Sequence, residues 1–175
     1  LLLVKFLKVQ SNDYFLKKVK QTSNFLKTKF LSKETKLLGS AFDADSEGEE
    51  GKYYVYNYEE LKNIKNIEKF FDIKPGGNWE GKIILDELKE PSEDVIAHLL
   101  KIRRKRKEPF FDKKNQLDLN CLWVSSLITL NSIIPDENYL KTAENFYEEI
   151  EKKFCAKNIF HSYSENISFI DDYAY

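Results

Sequence analysis

The chain has 175 residues, of which 28 are Lys or Arg and 29 are Asp or Glu, for a formal net charge of −1. That is long enough for one ordinary domain with a sizeable core, and a near-neutral chain exerts no general attraction on nucleic acid or on an acidic membrane. Thirteen Phe and ten Tyr against six Gly and four Pro suit a helical protein with an aromatic core or pocket. No apolar run approaches the roughly 18 residues of a membrane span. The two cysteines, Cys121 and Cys155, give neither a metal spacing nor a disulfide framework, which predicts a reducing, cytoplasmic setting.

In chain order, Leu1 to Val9 reads as the end of a helix, followed by a short break. Phe15, Val19, Thr22, Leu26 and Phe30 then fall on one helical face, with Asn12 or Ser11 as the cap. Residues 1–31 are therefore predicted to be an antiparallel helix hairpin. Next comes FDADSEGEEGKYYVY, Phe42 to Tyr56, in which Asp43, Asp45, Glu47, Glu49 and Glu50 surround two glycines. Tyr53 to Tyr56 reads as a strand from its aromatic and β-branched content. So much charge beside a segment that favours burial marks a site or its mouth, with a solvated acidic turn as the plainer alternative.

A calcium loop is excluded here. Acids at positions one, three and five and Gly48 at six fit, but position twelve must be a bidentate Glu and is Tyr54. No metal ligand set and no cofactor is expected.

Further along, Tyr58 to Ile64 and Ile67 to Phe71 read as short helices, Pro75 to Gly77 as a turn, and Lys82 to Leu85 as a short strand. Ser92 is placed to cap a helix running toward Lys107 and ending in KIRRKRK. No aromatic platform or known module accompanies that basic run, so it reads as a dipole partner on a solvated face, and no nucleic-acid partner is expected. Leu119 to Ile134 is apolar on most sides and is predicted to be a buried helix. It pairs with a helix after Pro135, capped by Asp136, whose Tyr139, Ala143, Phe146, Ile150 and Phe154 share a face.

The helices over 14–30 and 138–154 resemble each other in sequence. Each leads through a short extended segment, LLGSAF or IFHSYS, into acids: Asp43 and Asp45 after the first, Asp171 and Asp172 after the second. A recurring unit of helix hairpin, strand and acid marks a helical toroid or solenoid, and would bring both acid groups to one end.

Four ordered stretches carry a family resemblance. They are SAFDADSEGEEGKYYVYNYEEL, FFDIKPGGNWEGKIIL, RRKRKEPFFDKKNQLDLNCLWVSSL and SFIDDYAY. They resemble the acidic-loop motif DADSEGEEGKFYVW, the segment GNFEGKNIL, the pattern R-x-x-R-x-x-P-x-x-D-D-K-x-L-T-x-W-N-G-L and the motif F-L-D-D-Y-A of the spermatogenesis-associated thioredoxin-domain family, whose bacterial members are called YyaL-like. The resemblance runs through the whole chain. Two positions depart from it: Trp-Asn-Gly becomes Leu119-Asn120-Cys121, and Asp-Asp-Lys becomes Asp112-Lys113-Lys114.

The resemblance implies a mainly α fold, a partial (α/α)6 toroid like that of six-hairpin glycosidases and N-acylglucosamine 2-epimerase, with short strands in an insertion. It makes the chain an internal piece of that toroid. The parts are a hairpin over 1–31, an acidic loop and insertion over 38–91, helices over 92–154 and the start of the next repeat over 155–175. The family's N-terminal thioredoxin-like domain is expected outside this chain. A toroid of this type suits glycoside hydrolysis or sugar epimerisation, which needs paired carboxylates as acid and base or nucleophile. The expected catalytic residues are Asp43, Asp45, Asp171 and Asp172. Asn120 is expected to bond a sugar hydroxyl, with Trp79, Tyr54 and Tyr173 stacking on the sugar and Glu80 beside it. Each has a structural alternative: Asp171 and Asp172 as helix caps, Asn120 as a partner for buried backbone, Glu80 as a turn residue. The expected partners are a carbohydrate-like small molecule and the rest of the same protein, with the chain inactive alone. The other function class is a non-catalytic binding module that serves the thioredoxin-like redox domain.

Overall fold

The computed structural model describes residues 1–10, 12–155, 158–162 and 167–175. The elements in order are α1 (Leu2–Val9), α2 (Asp13–Lys29), β1 (Ala41–Phe42), β2 (Asp45–Ser46), β3 (Glu49–Glu50) and α3 (Tyr58–Leu61). After a 3-10 turn at Ile67–Lys69 come α4 (Glu93–Arg103), β4 (Phe111–Asp112), α5 (Leu117–Ile133), α6 (Glu137–Phe154) and α7 (Ile170–Ala174). The fold is mainly helical, as expected. Two compact units divide it: Leu1–Ala41 with Asp112–Tyr175, and Phe42–Phe111. Among the described residues, no helix is long and apolar enough to cross a membrane.

In the first unit, α5 and α6 form the predicted hairpin. The face of α6 that the periodicity picks out is the one that packs: Ala143, Phe146, Ile150 and Phe154 are buried with Leu117, Trp123 and Leu127 of α5 and with Leu37 and Leu38. Trp123 meets Phe146 edge to face, ring centroids 6.3 Å apart. A second cluster joins Val4 and Leu7 of α1, Val19 of α2 and Leu130 of α5. Asn12 accepts the Tyr14 N–H and caps α2, and Asp136 accepts the Asn138 N–H and caps α6. Ser11, the other candidate cap, lies outside the described residues. The helix expected from Leu119 begins at Leu117, and its all-round burial is incomplete: Leu119 and Ile128 are exposed.

The second unit is built on short turns around a core of Tyr56, Leu61, Ile64, Ile67, Phe71, Ile83, Val95 and Leu99. Two hairpins have two-residue loops of Glu-Gly. In β2–β3, Glu47 and Gly48 have φ of 56° and 77°; between the bridged residues Trp79 and Lys82, Glu80 and Gly81 have φ of 48° and 75°. Positive φ at both central residues is the type I′ pattern, whose twist suits a hairpin. Glu80 is thus a turn residue.

Several expected elements differ here. Tyr53 to Tyr56 is a turn, with the Tyr54 and Val55 N–H groups both donating to the Gly51 carbonyl, and it ends in a single bridge from Tyr56 to Ile83. Lys82 to Leu85 keeps only that bridge and the one to Trp79, because the Asn78 side-chain amide takes both backbone groups of Ile84 at 2.8 Å. The helix expected over 67–71 is a 3-10 turn of three residues, and α4 stops at Arg103, with Lys105 and Arg106 in tight turns beyond it.

Gly77 is a position that only glycine fits. Its φ is +70°, and a Cβ there would lie 2.2 Å from the Lys82 carbonyl oxygen. That oxygen already accepts the Asn78 and Trp79 N–H groups at 2.9 and 3.1 Å, so it cannot retreat. Gly77→Ala is expected to cost about 2 kcal/mol from strain and clash together. Gly76→Ala, with nothing within 4 Å of its Cβ, is expected to be near neutral. Urea midpoints of the two variants check this; equal midpoints would refute it.

Candidate functional site

The start of α5 gathers the polar groups of the first unit. After α2 the chain turns back so that the Gly39 N–H donates to the Phe30 carbonyl at 2.9 Å and Leu31 bridges Leu38. This lays Leu38 along α5. The Leu38 N–H donates to Asn120 Oδ1 at 2.8 Å, and the Leu38 carbonyl accepts from Asn120 Nδ2 at 3.1 Å and Asn115 Nδ2 at 2.9 Å. Asn120 Nδ2 also donates to the Gln116 carbonyl at 2.8 Å. Asn120 is 0% exposed, so its amide is committed to backbone, the structural alternative in the sequence reading.

The chain after α6 turns in a similar way. The Phe160 N–H donates to the Phe154 carbonyl at 3.2 Å and Cys155 bridges Ile159. The next residues reach α5 as well: the Leu117 N–H donates to the His161 carbonyl at 2.9 Å, and Gln116 bridges Ser162. Both extended segments of the sequence repeat thus dock on one helix start. Tyr163 and Ser164, the end of the second segment, lie outside the described residues.

His161 is held on three sides. Its Nδ1 lies 2.9 Å from Asp172 Oδ1, its Nε2 lies 2.8 Å from Gln116 Nε2, and its ring meets Phe169 edge-on with centroids 4.9 Å apart. A carboxylate only accepts, so Nδ1 donates to Asp172; the Gln116 amide can meet Nε2 with its nitrogen as donor or, turned end for end, with its oxygen as acceptor. The Asp172 side chain is 0% exposed and that of His161 14%. Asp172 Oδ2 accepts the Phe169 N–H at 2.7 Å. Asp118, in the first turn of α5, completes the group: one ligand atom from each of Asp118, His161 and Asp172 lies within 4.8 Å of the others.

Sequence reasoning named Asp172 and missed His161, Gln116 and Asp118. One signal was available: His161 is one of only two histidines, and it sits in the segment that leads to the acids. Asp171 and Asp172 do not precede a helix. They occupy the first turn of α7, where Asp171 is exposed and Asp172, turned inward, caps the helix by accepting the Phe169 N–H, the structural alternative for that residue. Tyr173 is exposed, with its hydroxyl 3.3 Å from that of Ser168. Burial pushes the Cys121 thiol up to about 11, with Cys155 and then the acids Asp118 and Asp172 adding to the rise, so at neutral pH it is a thiol and a poor nucleophile.

The acidic loop belongs to the second unit, so Asp43 and Asp45 are described apart from Asp171 and Asp172. All five loop carboxylates are exposed. Asp43 Oδ1 accepts the Asp45 N–H at 3.4 Å, and Lys52 Nζ lies 3.3 Å from Glu47 and 3.6 Å from Glu49. Such exposed pairs contribute at most about 1 kcal/mol each. Tyr54 is exposed, edge-on to Tyr53, with the Arg103 guanidinium 5.9 Å from its ring. The Trp79 ring lies against Gly51, 3.7 Å from where a Cβ would stand.

The basic run differs most from its sequence reading. Arg106 does not face solvent. Its NH1 donates to the carbonyls of Lys52, Tyr53 and Val55, and its NH2 to both oxygens of Glu60 at 2.9 and 3.0 Å. Its guanidinium also lies 4.7 Å from the Tyr56 ring centroid. Ser46 donates its hydroxyl to the Lys107 carbonyl at 2.6 Å, and Tyr53 bonds Glu108 at 3.1 Å. The run is the clasp that shapes the acidic loop. Comparison with protein-family models and with curated proteins finds no match to the chain in either.

Proposed function

We propose that the chain is an internal part of a six-hairpin α/α toroid of the YyaL-like type, and that this toroid handles a carbohydrate or similar polyhydroxyl molecule. The observation that carries the proposal is the convergence of Asp118, His161 and Asp172 to within 4.8 Å. Sugar chemistry asks for two carboxylates at roughly 5 Å, or for an imidazole held by a buried acid, to move protons on and off oxygen. Asp172 orients His161, and the less buried Asp118 faces the incoming group. Asp171 and Tyr173 offer exposed polar and stacking contacts in the same unit. Asp43, Asp45, Tyr54, Trp79 and Glu80 are the second unit's candidates for such contacts. A cytoplasmic setting suits the two free thiols. The remaining hairpins and a thioredoxin-like domain are the partners, and the chain is inactive without them.

A second reading has its own support. Both Asp172 oxygens are already used, by His161 and by the Phe169 N–H, which suits a lock in a non-catalytic module. Thermal melting of the whole protein of which the chain is a part, with monosaccharides and N-acylated amino sugars, separates the two. Ligand at about 100 times its Kd is expected to add roughly 2.7 kcal/mol of stability. The gain should be lost in Asp118→Asn. If no sugar raises the melting temperature, the carbohydrate reading fails and the module reading stands.

A further inference from the structure

The geometry points to a divalent-cation site at the start of α5, made by Asp118, His161 and Asp172. One imidazole nitrogen and two carboxylates form a donor set that Zn²⁺ and neighbouring transition ions accept. One ligand atom from each residue lies within 4.8 Å of the others, so a small inward movement would bring all three to coordination distance.

Two further observations support the site. Asp172 is fully buried and fixed through the Phe169 N–H, so one ligand is already in place. Beside a second carboxylate, its buried negative charge gains from a dication at the centre of the group. Asp118 and His161 are only partly buried, which leaves a path for entry.

The protons also balance. A cation that takes His161 Nδ1 moves that proton to Nε2. Gln116, with its amide turned end for end, accepts it through Oε1, and its nitrogen already lies 2.8 Å from Nε2. Gln116 then orients the ligand as an outer partner. The ion would join three separate stretches of chain: the start of α5, the segment holding His161, and α7. None of this requires a sugar ligand.

The test uses the whole chain, stripped with chelator and titrated with Co²⁺ and Zn²⁺ by calorimetry, with the visible Co²⁺ spectrum recorded. One ion per chain is expected. Asp118→Asn and His161→Gln should each weaken binding by at least about 100-fold, more than the loss of an outer partner costs, and Glu144→Gln, at an exposed position of the same unit, should leave it unchanged. Because His161→Gln removes buried contacts, Asp118→Asn serves as the variant that stays folded, checked by circular dichroism. Absence of binding by the native chain, or binding that both variants leave unchanged, overturns the site. Co²⁺ binding by the chain with no sugar binding by the whole protein overturns only the carbohydrate proposal; sugar binding by the whole protein with no metal binding by the chain overturns only the cation site.

Discussion

Arg106→Met is expected to destabilise the second unit by about 4 kcal/mol, the cost of breaking a half-buried ion pair together with its hydrogen bonds. The Arg106 side chain is 18% exposed and that of Glu60 29%, so solvent screens the pair only in part. The guanidinium satisfies the carbonyls of Lys52, Tyr53 and Val55, and no strand is there to take its place. Glu60 also accepts the Asn57 N–H at 2.8 Å and so caps α3, which means losing Arg106 loosens a helix start as well. Met preserves most of the packing on Tyr56 while removing every donor. Arg106→Lys should recover less than half of the loss, because one ammonium cannot fork to a carboxylate and three carbonyls at once. The protein carries its own reporters: of the two tryptophans, Trp79 lies in the second unit and Trp123 in the first. Urea unfolding followed by Trp79 fluorescence in a Trp123→Phe background reads the effect. A shift below about 1 kcal/mol would show that the clasp is decoration.

That clasp also explains what could and could not be read from sequence. The faces of α2 and α6 are periodic, and a period of 3.6 is a local signal, so Val19, Ala143, Phe146, Ile150 and Phe154 were legible as core. Asn12 and Asp136 were legible as caps because capping acts over two or three residues. Tyr53 to Tyr56 has strand composition, but strand propensity needs a partner to express it. The carbonyls that would enter a ladder go instead to Arg106, more than fifty positions along the chain. The Glu-Gly turns were obscured for another reason. Asn or Asp is the usual first residue at positive φ, and Glu carries no such local preference. His161 has no periodicity at all. Its partners lie 45 and 11 positions away, at Gln116 and Asp172, so only the folded chain assembles the group.

Asn120 is where the sugar-binding and architectural readings make opposite predictions. Asn120→Leu is expected to cost about 2 kcal/mol, from one buried backbone donor left without a partner and two carbonyls that each lose one of two donors. Leucine fills nearly the same volume, so the loss is polar. The Leu38 N–H loses its acceptor at 2.8 Å, while the Gln116 carbonyl keeps the backbone N–H of residue 120 at 3.3 Å and the Leu38 carbonyl keeps Asn115. Asn120→Asp separates the two halves of the amide. The carboxyl can still accept the Leu38 N–H, but it faces two carbonyl oxygens where it replaces Nδ2. Burial and those carbonyls oppose its ionisation, so its folded pKa must rise above the unfolded value of about 4. The folded state then holds a proton that the unfolded state has released. The variant should therefore lie closest to the native protein near pH 4 and lose ground as pH rises toward the folded pKa, by about 1.4 kcal/mol per pH unit. Melting temperatures of the native chain and both variants at pH 4.5 and 7.5 test this. If Asn120 instead serves a sugar, Asn120→Leu will melt within about 1 kcal/mol of native, and only ligand binding will suffer. With the side chain fully buried and every amide proton already donated to backbone, the stability loss is the expected result.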